Sequence, residues 1–150
     1  MIGPSGTCGN TVLDLYSGSG GFGIEALKRD AARVDFVEID GKRCAAIKRR
    51  IEKLKFADRC TVHRSEAIRA IYKRLSGKFD VVFADPPYEL NPFQQIFIAL
   101  TESRLLANCA TVFAEHSSHT YLADNLGGLR VSKRRRYGDT TISVYEAVTE

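Results

Sequence analysis

Short runs rich in valine, isoleucine, leucine and phenylalanine alternate with longer amphipathic stretches along almost the whole chain, and this alternation limits the fold more than any other feature. The pattern predicts strands at 12–16, 33–38, 60–64, 79–84 and 110–115. Between and after them it predicts helices at 21–29, 42–56, 66–75, 93–102 and 120–126. Strands separated by helices pair in parallel and carry helices on both faces of the sheet. Two further strands, 129–136 and 140–148, are joined by Tyr137-Gly138-Asp139 and predict an antiparallel hairpin at one edge. The expectation is a doubly wound, mostly parallel, seven-stranded α/β sheet closed by that hairpin. In such a sheet the functional residues gather at the carboxyl ends of the strands.

With 150 residues, 44% of them apolar and 27% charged, the chain is expected to fold as one domain over 1–150, with residues 1–10 a flexible or cloning-derived lead. It carries no apolar run of membrane-spanning length and no basic-then-apolar leader. Four cysteines, Cys8, Cys44, Cys60 and Cys109, are scattered without a C-x-x-C pair, and the histidines do not cluster, so no metal site is expected. This usage suits a reducing cytoplasm. The net charge of +4 is compatible with nucleic acid without indicating it.

The first strand runs into Thr11–Gly23, TVLDLYSGSGGFG. Glycines there permit positive φ and let a ligand approach the backbone, and the following helix offers unpaired N–H groups. Gly18, Gly20 and Gly23 satisfy the dinucleotide spacing G-x-G-x-x-G, so a nicotinamide oxidoreductase has to be weighed. Asp14 argues the other way. A carboxylate beside the loop repels a pyrophosphate but suits a zwitterionic amino-acid group. It could equally cap local backbone N–H groups. Glu38 closes the second strand, where a carboxylate can accept both ribose hydroxyls of either cofactor, and Asp40 then caps the next helix. Glu66 follows the third strand and is a candidate for an adenine amino group. As a helix N-terminal acid it is equally well explained by the helix dipole.

Phe79–Tyr88, FDVVFADPPY, reads as a buried strand stopped by two residues that fix φ and donate no N–H. Asp85 and the Pro86 carbonyl are acceptors, Pro87 stiffens the turn, and Tyr88 offers a π-face. An amino group on a flat heterocycle would find two acceptors and a stacking ring. Alone, Asp-Pro-Pro is a strand and a turn; the glycine loop upstream raises it above that.

DLYSGSGGFGIEAL (Asp14–Leu27), FVEID (Phe36–Asp40), DVVFADPPYE (Asp80–Glu89) and YGDTTISVYE (Tyr137–Glu146) together resemble the RsmD family. Its members are Rossmann-like class I methyltransferases that modify guanine N2 in bacterial small-subunit ribosomal RNA. The resemblance covers nearly the whole chain. It implies S-adenosylmethionine held by Asp14, Tyr16, Gly18, Ser19, Gly20, Gly23, Glu38, Ile39, Glu66, Ala67 and Asp85, and a catalytic platform of Asp85, Pro86, Pro87 and Tyr88. It also implies a cytoplasmic monomer acting on ribosomal RNA or the assembling small subunit. The family usually opens with a basic segment carrying an R-P-T-like motif. MIGPSGTCGN is not of that kind, so the chain looks like a family core without its front. Adenine-N6 methylation of DNA or RNA would use the same platform, and a core that binds cofactor or RNA without turnover is a further alternative.

Two basic clusters remain. Lys42, Arg43, Lys48, Arg49, Arg50, Lys53 and Lys55 lie on one helix whose apolar face is already explained, and they read as a solvated surface. Lys133, Arg134, Arg135 and Arg136 adjoin the hairpin turn and are the candidates for RNA phosphates, or for a charged strand edge that prevents association. Glu115, His116, His63 and His119 receive no role.

Overall fold

The computed structural model describes residues 7–87 and 89–147. Along the chain run β1 (Thr11–Leu15), α1 (Gly21–Lys28), β2 (Arg33–Glu38), α2 (Gly41–Lys53), β3 (Cys60–Arg64), α3 (Ala67–Lys73), β4 (Phe79–Ala84), α4 (Phe93–Glu102), β5 (Leu106–Ser117), β6 (Asn125–Leu126), β7 (Leu129–Tyr137) and β8 (Thr140–Ala147). A 3-10 turn, Ala57–Arg59, precedes β3. The strands form one sheet in the order β3-β2-β1-β4-β5-β8-β7-β6. The first five positions are parallel, and β8, β7 and β6 are added antiparallel. The chain winds outward from β1 to β3 and returns to β4 on the other side of β1. The order therefore reverses between β1 and β4, and a crevice opens there above the carboxyl ends.

Alternation along each strand decides which helices it meets. Val12, Val34 and Phe36 point to one face and pack with Ile24 and Leu27 of α1 and Ile47 and Ile51 of α2. Leu13, Leu15, Val37, Val82 and Val112 point to the other and pack with Ile71 of α3 and Ile96, Phe97 and Leu100 of α4. Both faces of the parallel strands are thus apolar, as the unbroken hydrophobic runs require.

The sheet has eight strands, not seven, and the expected helix over 120–126 does not form. The carbonyls a helix would use internally are taken by neighbouring strands. Arg134 Nη2 donates to Leu122 O, Tyr145 Oη donates to Ala123 O at 2.6 Å, and Val131 N donates to Asp124 O at 2.7 Å. The segment is held extended and ends in β6, which turns into β7 through Gly127 and Gly128 at φ 57° and 89°. A Cβ on Gly127 would lie 2.5 Å from that of Phe97, so glycine is required by packing as well as by φ.

The β7–β8 hairpin forms with a two-residue Gly138-Asp139 turn, Tyr137 being paired with Thr140. Residues 7–10 are not a loose lead: Thr7 is buried, Gly9 N donates to Asp30 O, and Ala32 N donates to Asn10 O. Residues 1–6 lie outside the described residues.

Candidate active site

The loop after β1 reverses through three left-handed residues, Tyr16, Gly18 and Gly20, at φ 57°, 59° and 80°. Ser17 pins it from within. Its hydroxyl lies 2.6 Å from Asp14 O, its N–H donates to Val37 O, and Val37 N donates back to its hydroxyl. Glu38 pins it from the next strand. One carboxylate oxygen accepts Gly18 N and the other Asp40 N, each at 2.8 Å, so a single buried side chain fixes both the loop and the start of α2. Each oxygen retains a lone pair for a further donor. Asp40 caps α2, accepting from Lys42 N at 2.8 Å.

The glycines divide by function. A Cβ on Gly18 would meet nothing within 4 Å, which is the open approach a ligand needs. Gly23 is buried in α1, and a Cβ there would lie 2.3 Å from the Phe36 ring. Gly23 therefore lets α1 sit down on β2, a packing role its place in the glycine spacing did not signal. Ser19 contributes through its carbonyl, which accepts Arg50 Nη1 at 3.0 Å. The basic face of α2 is not wholly solvated after all.

Asp14 accepts Gly23 N at 3.1 Å, which is the capping role foreseen as one alternative. It is almost fully buried, and desolvation, with the nearby Asp85 and Glu38 charges, pushes its carboxyl up to about 8. Beside it Tyr16 is half-buried, and burial together with the Glu66 charge raises its phenol to about 12. Glu66 is the N-cap of α3, with one oxygen accepting Ile68 N and the other Arg69 N. The helix N-terminal role read for Glu66 is present as this cap. Ala67 is buried behind it, whereas Ile39, next to Glu38, stands 66% exposed.

At the end of β4, Asp85 is half-buried, Pro86 is buried and Pro87 exposed. Tyr88 lies outside the described residues. Ala84 is register partner to Ala114 of β5, so Asp85 and Glu115 leave adjacent parallel strands side by side. Their carboxyls are near enough to perturb one another. Burial raises both carboxyls, and the Asp85 charge helps take Glu115 to about 7. Glu115 was missed in the sequence because nothing in one chain links it to Asp85, 30 positions away; only the β4–β5 pairing does.

Phe22 of α1 and Phe83 of β4 stack at 4.4 Å and 8°, flooring the same face, and this too had no sequence signal. His116 is a satisfied polar group. Its Nδ1 lies 2.9 Å from Ser117 O and its Nε2 2.8 Å from Ser143 Oγ, and burial lowers its pKa, keeping it neutral. His63 pairs with buried Asp35 at 2.8 Å and is structural.

The run 133–136 does not act as one patch. A bulge at Ser132 sets the register so that Arg134 and Arg136 stand opposite Ser143 and Thr141, while Lys133 and Arg135 stand opposite Val144 and Ile142 on the other face. Arg134 is consumed by Asp124, at 3.0 Å, and by Leu122 O. Arg136 Nε donates to Gly138 O at 2.8 Å. Lys133 and Arg135 are exposed on the face shared with Asp85 and Glu115. Among the described residues no group of three or more metal-ligating side chains occurs, and no helix is long and apolar enough to cross a membrane.

Sheet order, a tied glycine loop after β1, an acid ending β2 and Asp-Pro-Pro after β4 define the class I methyltransferase fold. The chain matches the family described as "Conserved hypothetical protein 95" over residues 1–146 and belongs to it, the RsmD family. It is 34% identical over 149 residues to "Putative rRNA methyltransferase YlbH" of Bacillus subtilis, covering 97% of this chain and 80% of that protein. It is also 34% identical over 109 residues to "Ribosomal RNA small subunit methyltransferase D" of Haemophilus influenzae, which covers 69% of this chain but 54% of that protein. A solved structure of a conserved hypothetical protein from Streptococcus pyogenes superposes with a TM-score of 0.87 at 35% identity, covering 94% of this chain and 88% of that one. The structure of SMU.776, a methyltransferase by title and complexed with SAH, shares the fold alone: TM-score 0.78, 12% identity, 94% of this chain and 46% of that one.

Proposed function

We propose that this chain transfers a methyl group from S-adenosylmethionine to N2 of a guanine in small-subunit ribosomal RNA. One observation carries the choice of an amine acceptor: Asp85, with the Pro86 carbonyl next to it, stands at the reversal of strand order beside a second carboxyl and with no cation paired to it among the described residues. Such a site is built to receive N–H donors and positive charge. Ribosomal RNA enters because the relatives named for it share the sequence, and that substrate would place the protein in the cytoplasm.

The residues fit the cofactor. Gly18 leaves open space, the Glu38 oxygens each retain a lone pair for a ribose hydroxyl, and Ile39 offers an apolar face to a purine. Asp14 and Asp85 are the carboxyls that would answer the positive charge of the cofactor's ammonium and sulfonium groups. When bound, S-adenosylmethionine supplies a methyl already activated by its sulfonium. What remains for the chain is alignment. Asp85 and the Pro86 carbonyl accept the amine hydrogens and aim the nitrogen lone pair. The N–C bond forms as the S–C bond breaks, and the positive charge developing on nitrogen is stabilised by Asp85. A proton then leaves the nitrogen to solvent, with S-adenosylhomocysteine as the other product. No strong base is required.

The glycine spacing, read for a nicotinamide cofactor, loses its third member, since Gly23 is a packing residue. Incubation of the chain with labelled S-adenosylmethionine and protein-depleted small subunits, followed by nucleoside mass spectrometry, tests the proposal. Label in N2-methylguanosine is the expected result; label in N6-methyladenosine shifts the acceptor to adenine, and no label with intact cofactor binding indicates a binding core.

A further inference from the structure

Glu115 has no part in the chemistry above, yet it is half-buried, stands beside Asp85 through the Ala84–Ala114 register and is unpaired with any cation among the described residues. It lines a small crevice, about 10 Å³, with Pro86, Pro87, Phe93 and Thr120. Two carboxyls on neighbouring strands lie about 5 Å apart at the backbone. Guanine presents two parallel donors on one edge, N2–H and N1–H. Adenine presents one donor, N6–H, beside a bare acceptor, N1. Two acceptors side by side fit the first edge and oppose the second.

We infer that Glu115 is the specificity-determining residue of the site, accepting N1–H of guanine while Asp85 accepts N2–H. This rests on the guanine-N2 reading. Above about pH 7, where Glu115 is ionised, a base that offers an acceptor at N1 leaves it facing a lone pair, and a polar group so mismatched in a desolvated site is strongly rejected.

The test uses 2-aminopurine, which keeps the exocyclic amine at C2 but carries no hydrogen on N1. Short RNAs with guanine or 2-aminopurine in a single-stranded loop serve as acceptors. The wild-type chain is expected to favour guanine by about 10–100-fold in kcat/KM, the effect of one unmet buried hydrogen bond. In Glu115→Gln the amide can donate to a bare N1 as well as accept from N1–H, so the preference should collapse several-fold toward unity. The missing O6 of 2-aminopurine affects both enzymes equally and cancels in that ratio. A merely structural role would lower both rates and leave the ratio unchanged, which overturns the assignment. Equal wild-type rates on the two bases overturn it without any variant, should Glu115→Gln fail to fold. Methylation of neither base, or of adenine alone, overturns the guanine-N2 reading instead.

Discussion

Glu38, proposed above to hold the ribose, also holds the loop itself. Its two oxygens hold Gly18 and Asp40, so Glu38→Ala frees the loop and, under the proposed cofactor placement, removes the ribose acceptors as well. Calorimetry with S-adenosylhomocysteine should show affinity weakened by about 1–3 kcal/mol; unchanged affinity would place the ribose elsewhere. Gly23→Ala separates packing from binding. Its Cβ meets the Phe36 ring at 2.3 Å, and the resulting strain should cost about 1–3 kcal/mol in urea unfolding. A stable Gly23→Ala protein with impaired cofactor binding would return Gly23 to the site. Asp85→Ala should lower kcat while leaving cofactor affinity nearly intact, because the amine it holds arrives with the RNA.

At the scale of elements, β7 carries two kinds of arginine. Arg134 ties the segment before β6 to the hairpin, so Arg134→Ala should loosen residues 120–126, seen as faster proteolysis there at a Tm lowered by a few degrees. RNA affinity would change little. Lys133 and Arg135 share the face of the acceptor platform, and replacing both with Ser should weaken RNA binding and flatten its salt dependence by about 0.7 in log–log slope per phosphate lost. If instead Arg134→Ala flattens the slope and the Lys133/Arg135 pair does not, the faces have been assigned the wrong way round. Within the glycine loop, the sequence reads correctly as a reversal; that Ser17 and Arg50 hold it was not legible, since both act on groups 20 or more positions away.

Over the whole molecule, three carboxyls, Asp14, Asp85 and Glu115, collect on one face without a cation, and the fold retains protons to tolerate them. The sign of the resulting pH dependence is fixed. Asp14 rises from 3.8 to about 8 on folding, so between those values the folded chain binds more protons than the unfolded chain. Stability from this group is complete below pH 3.8 and is lost as pH rises toward about 8. Thermal melts of the ligand-free protein should therefore show Tm falling from pH 5 to pH 8, and Asp14→Asn should remove much of that slope while keeping an acceptor for Gly23 N. A slope unaltered in Asp14→Asn would locate the protons on other groups. S-adenosylmethionine, bringing positive charge to the same face, should stabilise the protein more at pH 8 than at pH 5.

Periodicity and punctuation in the sequence were enough to determine the alternating order of elements, the parallel sheet, the hairpin, the glycine loop and the Asp-Pro-Pro platform. Those features depend on short-range physics: backbone torsion at Gly18 and Pro86, pleat at Val12 and Leu13, and the cap at Asp40. Tertiary structure decided what depends on partners distant in the chain. Residues 120–126 have a helical pattern, but Arg134 and Tyr145 take their carbonyls and draw them out as an extended segment and a short eighth strand. Gly23 matches a ligand motif, but the Phe36 ring makes it a packing residue. Four consecutive cations read as one patch, but a bulge and a pleat divide them between two faces. Glu115 was silent in one dimension because its meaning comes from the strand beside it: pairing of Ala84 with Ala114 is what brings a second carboxyl to Asp85.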